Sequence, residues 1–103
     1  MGKVVPIISK SSTRFVSTSK GLVDLAPTLE RITKGIKYPH KNDGSIFKNA
    51  QKLLPSKPAG YYTEYVVPTP GVSHAGLQRI IKGSGGEMYF SPDHYSTFIP
   101  IIP

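Results

Sequence analysis

Between Tyr61 and Phe98 the chain reads YYTEYVVPTPGVSHAGLQRIIKGSGGEMYFSPDHYSTF, and this stretch restricts the fold more than any other. Aromatic and β-branched residues gather in short runs, each closed by Pro, Gly or Asp, the signature of brief strands joined by turns. Tyr61 to Val67 alternates in the β manner. Tyr62, Glu64 and Val66 share one face, and Tyr61, Thr63, Tyr65 and Val67 share the other. Gln78 to Lys82 reads as a second strand, with Arg79 and Ile81 on one face. A loose Gly83 to Gly86 connection leads to a third, Glu87 to Phe90. The Ser91-Pro92-Asp93 turn leads to a fourth, His94 to Ile99.

Upstream lies one helical signal, DLAPTLERITKGI. Asp24 suits an N-cap, Pro27 is tolerated in a first turn, and Gly35 is a C-terminal stop. Leu25, Leu29 and Ile32 recur on one face, which must bury against the sheet, while Glu30 and Arg31 read as solvated. Asn42-Asp43-Gly44 marks a turn, and Ile46-Phe47 a short apolar anchor before KNAQKLLP. A helix followed by antiparallel strands predicts an α+β domain. With 103 residues the chain is one domain with a modest core. Residues 21–103 form its body, and 1–20 read as an extension or an edge segment.

The chain has no cysteine, which excludes disulfides and thiolate metal sites. Nor does any apolar run reach the length of a membrane span, and Pro6 breaks an opening too short for a signal-peptide core. The net charge is +7, and it is unevenly placed: eleven basic and three acidic residues through Lys57, two basic and three acidic beyond. Such a field implies a polyanionic partner, a nucleic acid or an acidic protein. Glu64, Arg79 and His94 sit in the nearly neutral part. A carboxylate base, a guanidinium and an imidazole acid are what moving a 2′-hydroxyl onto a phosphate requires. Singly, each residue type is commoner as a surface or turn residue.

The segments NDGSIFKN, YYTEYVV, PTPG, QRII and DHYSTF, in this order and spacing, resemble the small microbial endoribonucleases that include barnase and the guanyl-preferring streptomycete enzymes. The resemblance covers roughly Gly21 to Ile101. It implies the microbial ribonuclease fold, an N-terminal helix packed on a small antiparallel sheet. It also implies Glu64 as general base, Arg79 as the scissile-phosphate ligand, His94 as general acid and Tyr95 as a further phosphate contact, with no metal and no cofactor. Phe47, Lys48, Asn49 and Gln51 fall on the family's base-binding segment, although Phe47 reads first as core.

Two departures stand out. Where the streptomycete-type sequences carry a second catalytic Arg, four residues before Arg79, this chain has Ala75, which leaves two readings: the adjacent His74 supplies partial charge, or the alanine is an engineered attenuation of the enzyme. Where the family has a Glu that accepts both guanine donors, this chain has Gln51, which puts guanine preference in question. The resulting expectation is a monomeric, metal-independent endoribonuclease acting on single-stranded RNA through a 2′,3′-cyclic phosphate, with no membrane role. It would be the toxin domain of a larger bacterial protein delivered to a target cytoplasm, silenced by a small acidic immunity protein. The alternatives are a stand-alone secreted ribonuclease, or a catalytically impaired module that only binds RNA or an acidic partner.

Overall fold

The structure is a computed structural model that describes residues 3–4, 8–9, 15–18, 21–40, 42–69, 72 and 74–102. The elements run β1 (Lys3–Val4), β2 (Ile8–Ser9), β3 (Phe15–Thr18), β4 (Gly21–Asp24), α1 (Ala26–Lys34), β5 (Ser45–Phe47), β6 (Tyr62–Val66), β7 (Arg79–Gly83), β8 (Met88–Ser91) and β9 (Thr97–Ile102). Strands β5 to β9 form an antiparallel meander in sequence order, as their short turns dictate. On the outer edge of β9, β1 and β2 pair in parallel at successive places, Lys3 opposite Thr97 and Ile8 opposite Ile101. A separate two-stranded ribbon, β3–β4, leads into the helix. The architecture is α+β, one helix on an antiparallel sheet.

Helix α1 begins and ends within a residue of its sequence signals, the N-cap position falling on Leu25 rather than Asp24. The Asp24 carboxylate accepts the Ala26 N–H at 3.0 Å, and Pro27 occupies the first turn. Gly35 closes the helix at φ +73°, a left-handed conformation that costs glycine little. Leu25 and Ile32 then bury against Val67, Ile80, Met88, Phe90, Ile99 and Ile101 on one face of the sheet. The opposite face has its own apolar cluster of Leu54, Tyr62, Ile81 and Phe98, flanked by Phe47 and Tyr95. Each fully buried side chain of this size contributes about 1.5–3 kcal/mol.

Two sequence expectations need correction. The helical pattern puts Arg31 in solvent beside Glu30, yet it is only 5% exposed. Its guanidinium grips Asp43 at 3.1 and 2.8 Å, donates to the carbonyls of Ile36 and Val66, and lies 3.7 Å from the Tyr38 ring centroid. Asp43 in turn accepts the backbone N–H groups of Tyr38 and Val66. The pair ties the helix, the loop after it and the end of β6 into one unit, so solvation loses to a buried bidentate partner, although Arg31 Nε has no hydrogen-bond partner among the described residues. Glu30 does stay exposed, 3.6 Å from Lys34. The second correction concerns His94, which the sequence pattern puts at the start of the last strand. It lies in a turn, and β9 starts only at Thr97.

Candidate active site

The sheet face away from the helix carries the polar residues that the sequence singled out. Glu64 is at the centre of β6, opposite Ile81 in β7 and Ser45 in β5. Arg79 opens β7 opposite Val66. The two are thus diagonal neighbours on one face, within reach of long side chains. Arg79 is 5% exposed and its Nη1 donates to the carbonyls of Gly76 and Gln78, both at 2.9 Å. These bonds fix the guanidinium plane before any ligand arrives. Its Nε is buried and has no partner among the described residues.

The turn between β8 and β9 brings the other two groups. Ser91 Oγ donates to Asp93 Oδ1 at 3.1 Å and accepts the Tyr95 N–H at 2.9 Å. Asp93 Oδ1 also accepts the Thr97 N–H at 2.8 Å. So braced, His94 and Tyr95 hold φ values of +54° and +77°, a backbone region that non-glycine residues enter rarely and often at functional sites. The His94 N–H donates to the Leu77 carbonyl at 2.9 Å, which ties this turn to the entrance of β7. The His94 side chain is exposed, its ring centroid 4.7 Å from that of Tyr95.

Tyr95 joins the constellation together. Its phenol donates a short hydrogen bond to Glu64 Oε1, and its ring packs 4.7 Å from Phe47. Burial first, then the Glu64 bond and charge, push the phenol well above its ordinary range, while the nearby Arg79 pulls weakly the other way. Tyr95 is therefore a hydrogen-bond donor at any physiological pH. Glu64, Arg79 and the His94–Tyr95 turn converge on one surface with two fixed donors and a carboxylate.

Next to it opens a cavity of about 270 Å³, lined by Phe47, Asn49, Ala50, Gln51, Leu53, His94, Tyr95 and Phe98. The sequence-predicted base segment and the His94 turn thus face the same space. Within it the residues differ in freedom. The Asn49 amide donates to the Leu54 carbonyl and accepts the Leu54 N–H, at 3.0 and 3.2 Å, so its side chain closes the loop. Phe47 packs between Tyr95, Phe98 and Tyr62, in keeping with a core reading. Gln51 is exposed at the cavity. Lys48, also exposed, lies outside this cavity's lining.

Ala75 is half-buried. His74 is exposed, and its Nδ1 accepts the Gly76 N–H at 3.1 Å as part of the local turn. Sequence reasoning passed over the scaffold pair Ser91 and Asp93 and the lining residue Leu53. The Ser-Pro-Asp turn signal was visible, but which N–H groups the two side chains would hold was not.

The family model described as ribonuclease matches residues 9–101. The chain is similar to guanyl-specific ribonuclease St of Saccharopolyspora erythraea, 43% identical over 81 residues that make up 75% of this chain and 80% of that one. It is similar to guanyl-specific ribonuclease Sa of Kitasatospora aureofaciens, 43% identical over 72 residues, 69% of this chain and 75% of that one. Among solved structures, ribonuclease Sa2 bound to guanosine-2′-cyclophosphate superposes with a TM-score of 0.76 at 37% identity, covering 96% of this chain and 98% of that one.

Proposed function

The chain belongs to the ribonuclease family and is an endoribonuclease, and we propose that it cleaves single-stranded RNA without a metal, through a 2′,3′-cyclic phosphate. The observation that carries this reading is the Tyr95–Glu64 hydrogen bond, which draws the His94 turn onto the strand face that also bears Arg79. In the reaction Glu64 removes the proton of the ribose 2′-OH, whose oxygen attacks phosphorus. His94 gives a proton to the departing 5′-oxygen, so one P–O bond forms as another breaks. Arg79 and the Tyr95 phenol donate to the phosphoryl oxygens, where negative charge grows. Both proton transfers are covered by side chains, which leaves no step for a metal to perform.

Guanine is the base proposed for the first cavity, since the relatives St and Sa are described as guanyl-specific. Gln51 makes the preference weaker here. The basic surface, +7 in all, supports a small acidic inhibitor or immunity protein as a second partner, as a toxin domain delivered into another cell's cytoplasm would require. Steered association of that kind slows as salt is raised. The test of the chemistry is an otherwise 2′-deoxy oligonucleotide with a single ribose. It should be cut only on the 3′ side of that ribose and yield a 2′,3′-cyclic phosphate by mass spectrometry. Cutting of the all-deoxy strand would refute the internal-nucleophile mechanism.

A further inference from the structure

On the ribonuclease reading, the cavity at His94 takes the nucleotide that is cleaved. A second, larger cavity of about 540 Å³ lies on the other side of the same short segment, 48–52, within the range of about 300–1,000 Å³ that ligand pockets occupy. The two cavities share Phe47 and Asn49, so this segment is a partition between them. Phe47 and Tyr62, rings 6.5 Å apart and edge to face, line the second cavity together with Ile46. Lys48, Lys52 and Lys57 also line it, and no lining residue is acidic. All three lysines are exposed and none is in an ion pair within 4 Å among the described residues, although Lys57 Nζ lies 5.1 Å from the Tyr61 ring centroid and interacts electrostatically with Glu87.

The partition holds Lys52 in an unusual conformation. Lys52 has φ +58° and Asn49 φ +54°, and for lysine this backbone region is uncommon. The Lys52 N–H donates to the Asn49 carbonyl at 2.9 Å, and the Asn49 amide locks onto Leu54. An apolar and aromatic lining with a cationic rim, and no carboxylate among the lining residues, suits a ligand that alternates flat apolar faces with anionic links. A nucleic-acid strand has that composition.

Building on the ribonuclease reading, we propose that this second cavity is a subsite for a nucleotide flanking the one that is cleaved, so that the RNA strand crosses the 48–52 partition with Lys52 and Lys57 on its phosphates. The test compares GpA with a hexanucleotide carrying one GpA step, all its other residues being 2′-O-methyl. The unmodified chain should cleave the hexamer with the higher kcat/KM. In Lys52→Gln/Lys57→Gln that advantage should shrink by on the order of tenfold at 0.1 M salt, with the salt slope shallower by about 0.7 per lysine. Lys52→Arg/Lys57→Arg should restore it. An advantage that survives the glutamine substitutions, in a variant whose melting temperature is unchanged, overturns the subsite. If GpA and the hexamer both resist cleavage, the ribonuclease reading fails separately. Fluorescence anisotropy of an all-2′-O-methyl hexamer then decides the subsite, and equal affinity in both chains overturns it. A loss confined to binding of poly-glutamate would assign the rim to an acidic protein and overturn it as well.

Discussion

Replacing Asp43 by Ala should be the most damaging single change outside the active face. The Asp43 side chain is wholly buried and accepts four hydrogen bonds, two from Arg31 and one each from the N–H groups of Tyr38 and Val66. Removing one partner of a buried ion pair costs about 3–5 kcal/mol, because the other charge is left uncompensated. The two orphaned N–H groups add to this where water cannot reach them. Against a total stability of about 5–15 kcal/mol, a loss near 4 kcal/mol should lower Tm by about 15–30 °C. Burial alone would raise the Asp43 pKa, but Arg31 and the two N–H groups outweigh it and hold the carboxyl below its usual range. A depressed carboxylate stabilises the fold above the unfolded pKa of about 3.9, and that contribution is lost as pH falls through the folded value. Urea melts at pH 7 and pH 3 would therefore show a large difference between the unmodified chain and Asp43→Ala at pH 7 that narrows in acid. The double variant Arg31→Met/Asp43→Ala should be more stable than Asp43→Ala alone. A cost below about 1 kcal/mol for Asp43→Ala at pH 7 would show that the pair is not the tie described here.

Other changes test the active face. Ala75→Arg should restore a guanidinium near the phosphate and raise the cleavage rate by about 10²–10³, with little gain in RNA affinity; an unchanged rate would mean another cation already serves. Gln51→Glu should sharpen cleavage after G over other bases in dinucleotide assays, since Gln sets its own amide against one guanine donor, a mismatch of about 1–3 kcal/mol. Strong G-specificity in the unmodified chain would assign base reading to other groups. Tyr95→Phe keeps the ring contacts with Phe47 and His94 but removes the donor to Glu64. It should lower kcat by at least about tenfold, while urea stability changes by no more than about 1.5 kcal/mol.

Much of this molecule can be read from local pattern. Asp24, Pro27 and Gly35 mark the helix because caps and stops act within a few residues, and the alternation in YYTEYVV marks β6 and its faces. Strand ends moved by one or two residues, as with Arg79 to Gly83 against the expected Gln78 to Lys82, because pairing with the neighbour sets the limits. Arg31 was misread because its partner lies twelve residues away in a loop, where periodicity carries no information. His94 was misread because Ser91 and Asp93 spend their side chains on the backbone of 95–97 and delay the strand. The β3–β4 ribbon went unnoticed because FVST and GLVD are too short to show a period. At the site, residue types and order were legible, whereas the bond from Tyr95 to Glu64 depends on a turn closing over a sheet. The commitment of the Asn49 amide to Leu54 likewise follows from a loop shape that sequence does not reveal.

The most direct test of the central claim is RNA cleavage by the purified chain in excess EDTA, beside Glu64→Ala and His94→Ala. The account expects the unmodified chain to cut RNA undiminished by the chelator, with a bell-shaped pH dependence, because a deprotonated Glu64 and a protonated His94 must act together. Each alanine variant should lose at least about 10²-fold in kcat while staying folded. RNA cleavage abolished by EDTA, or persisting in both variants, would contradict it.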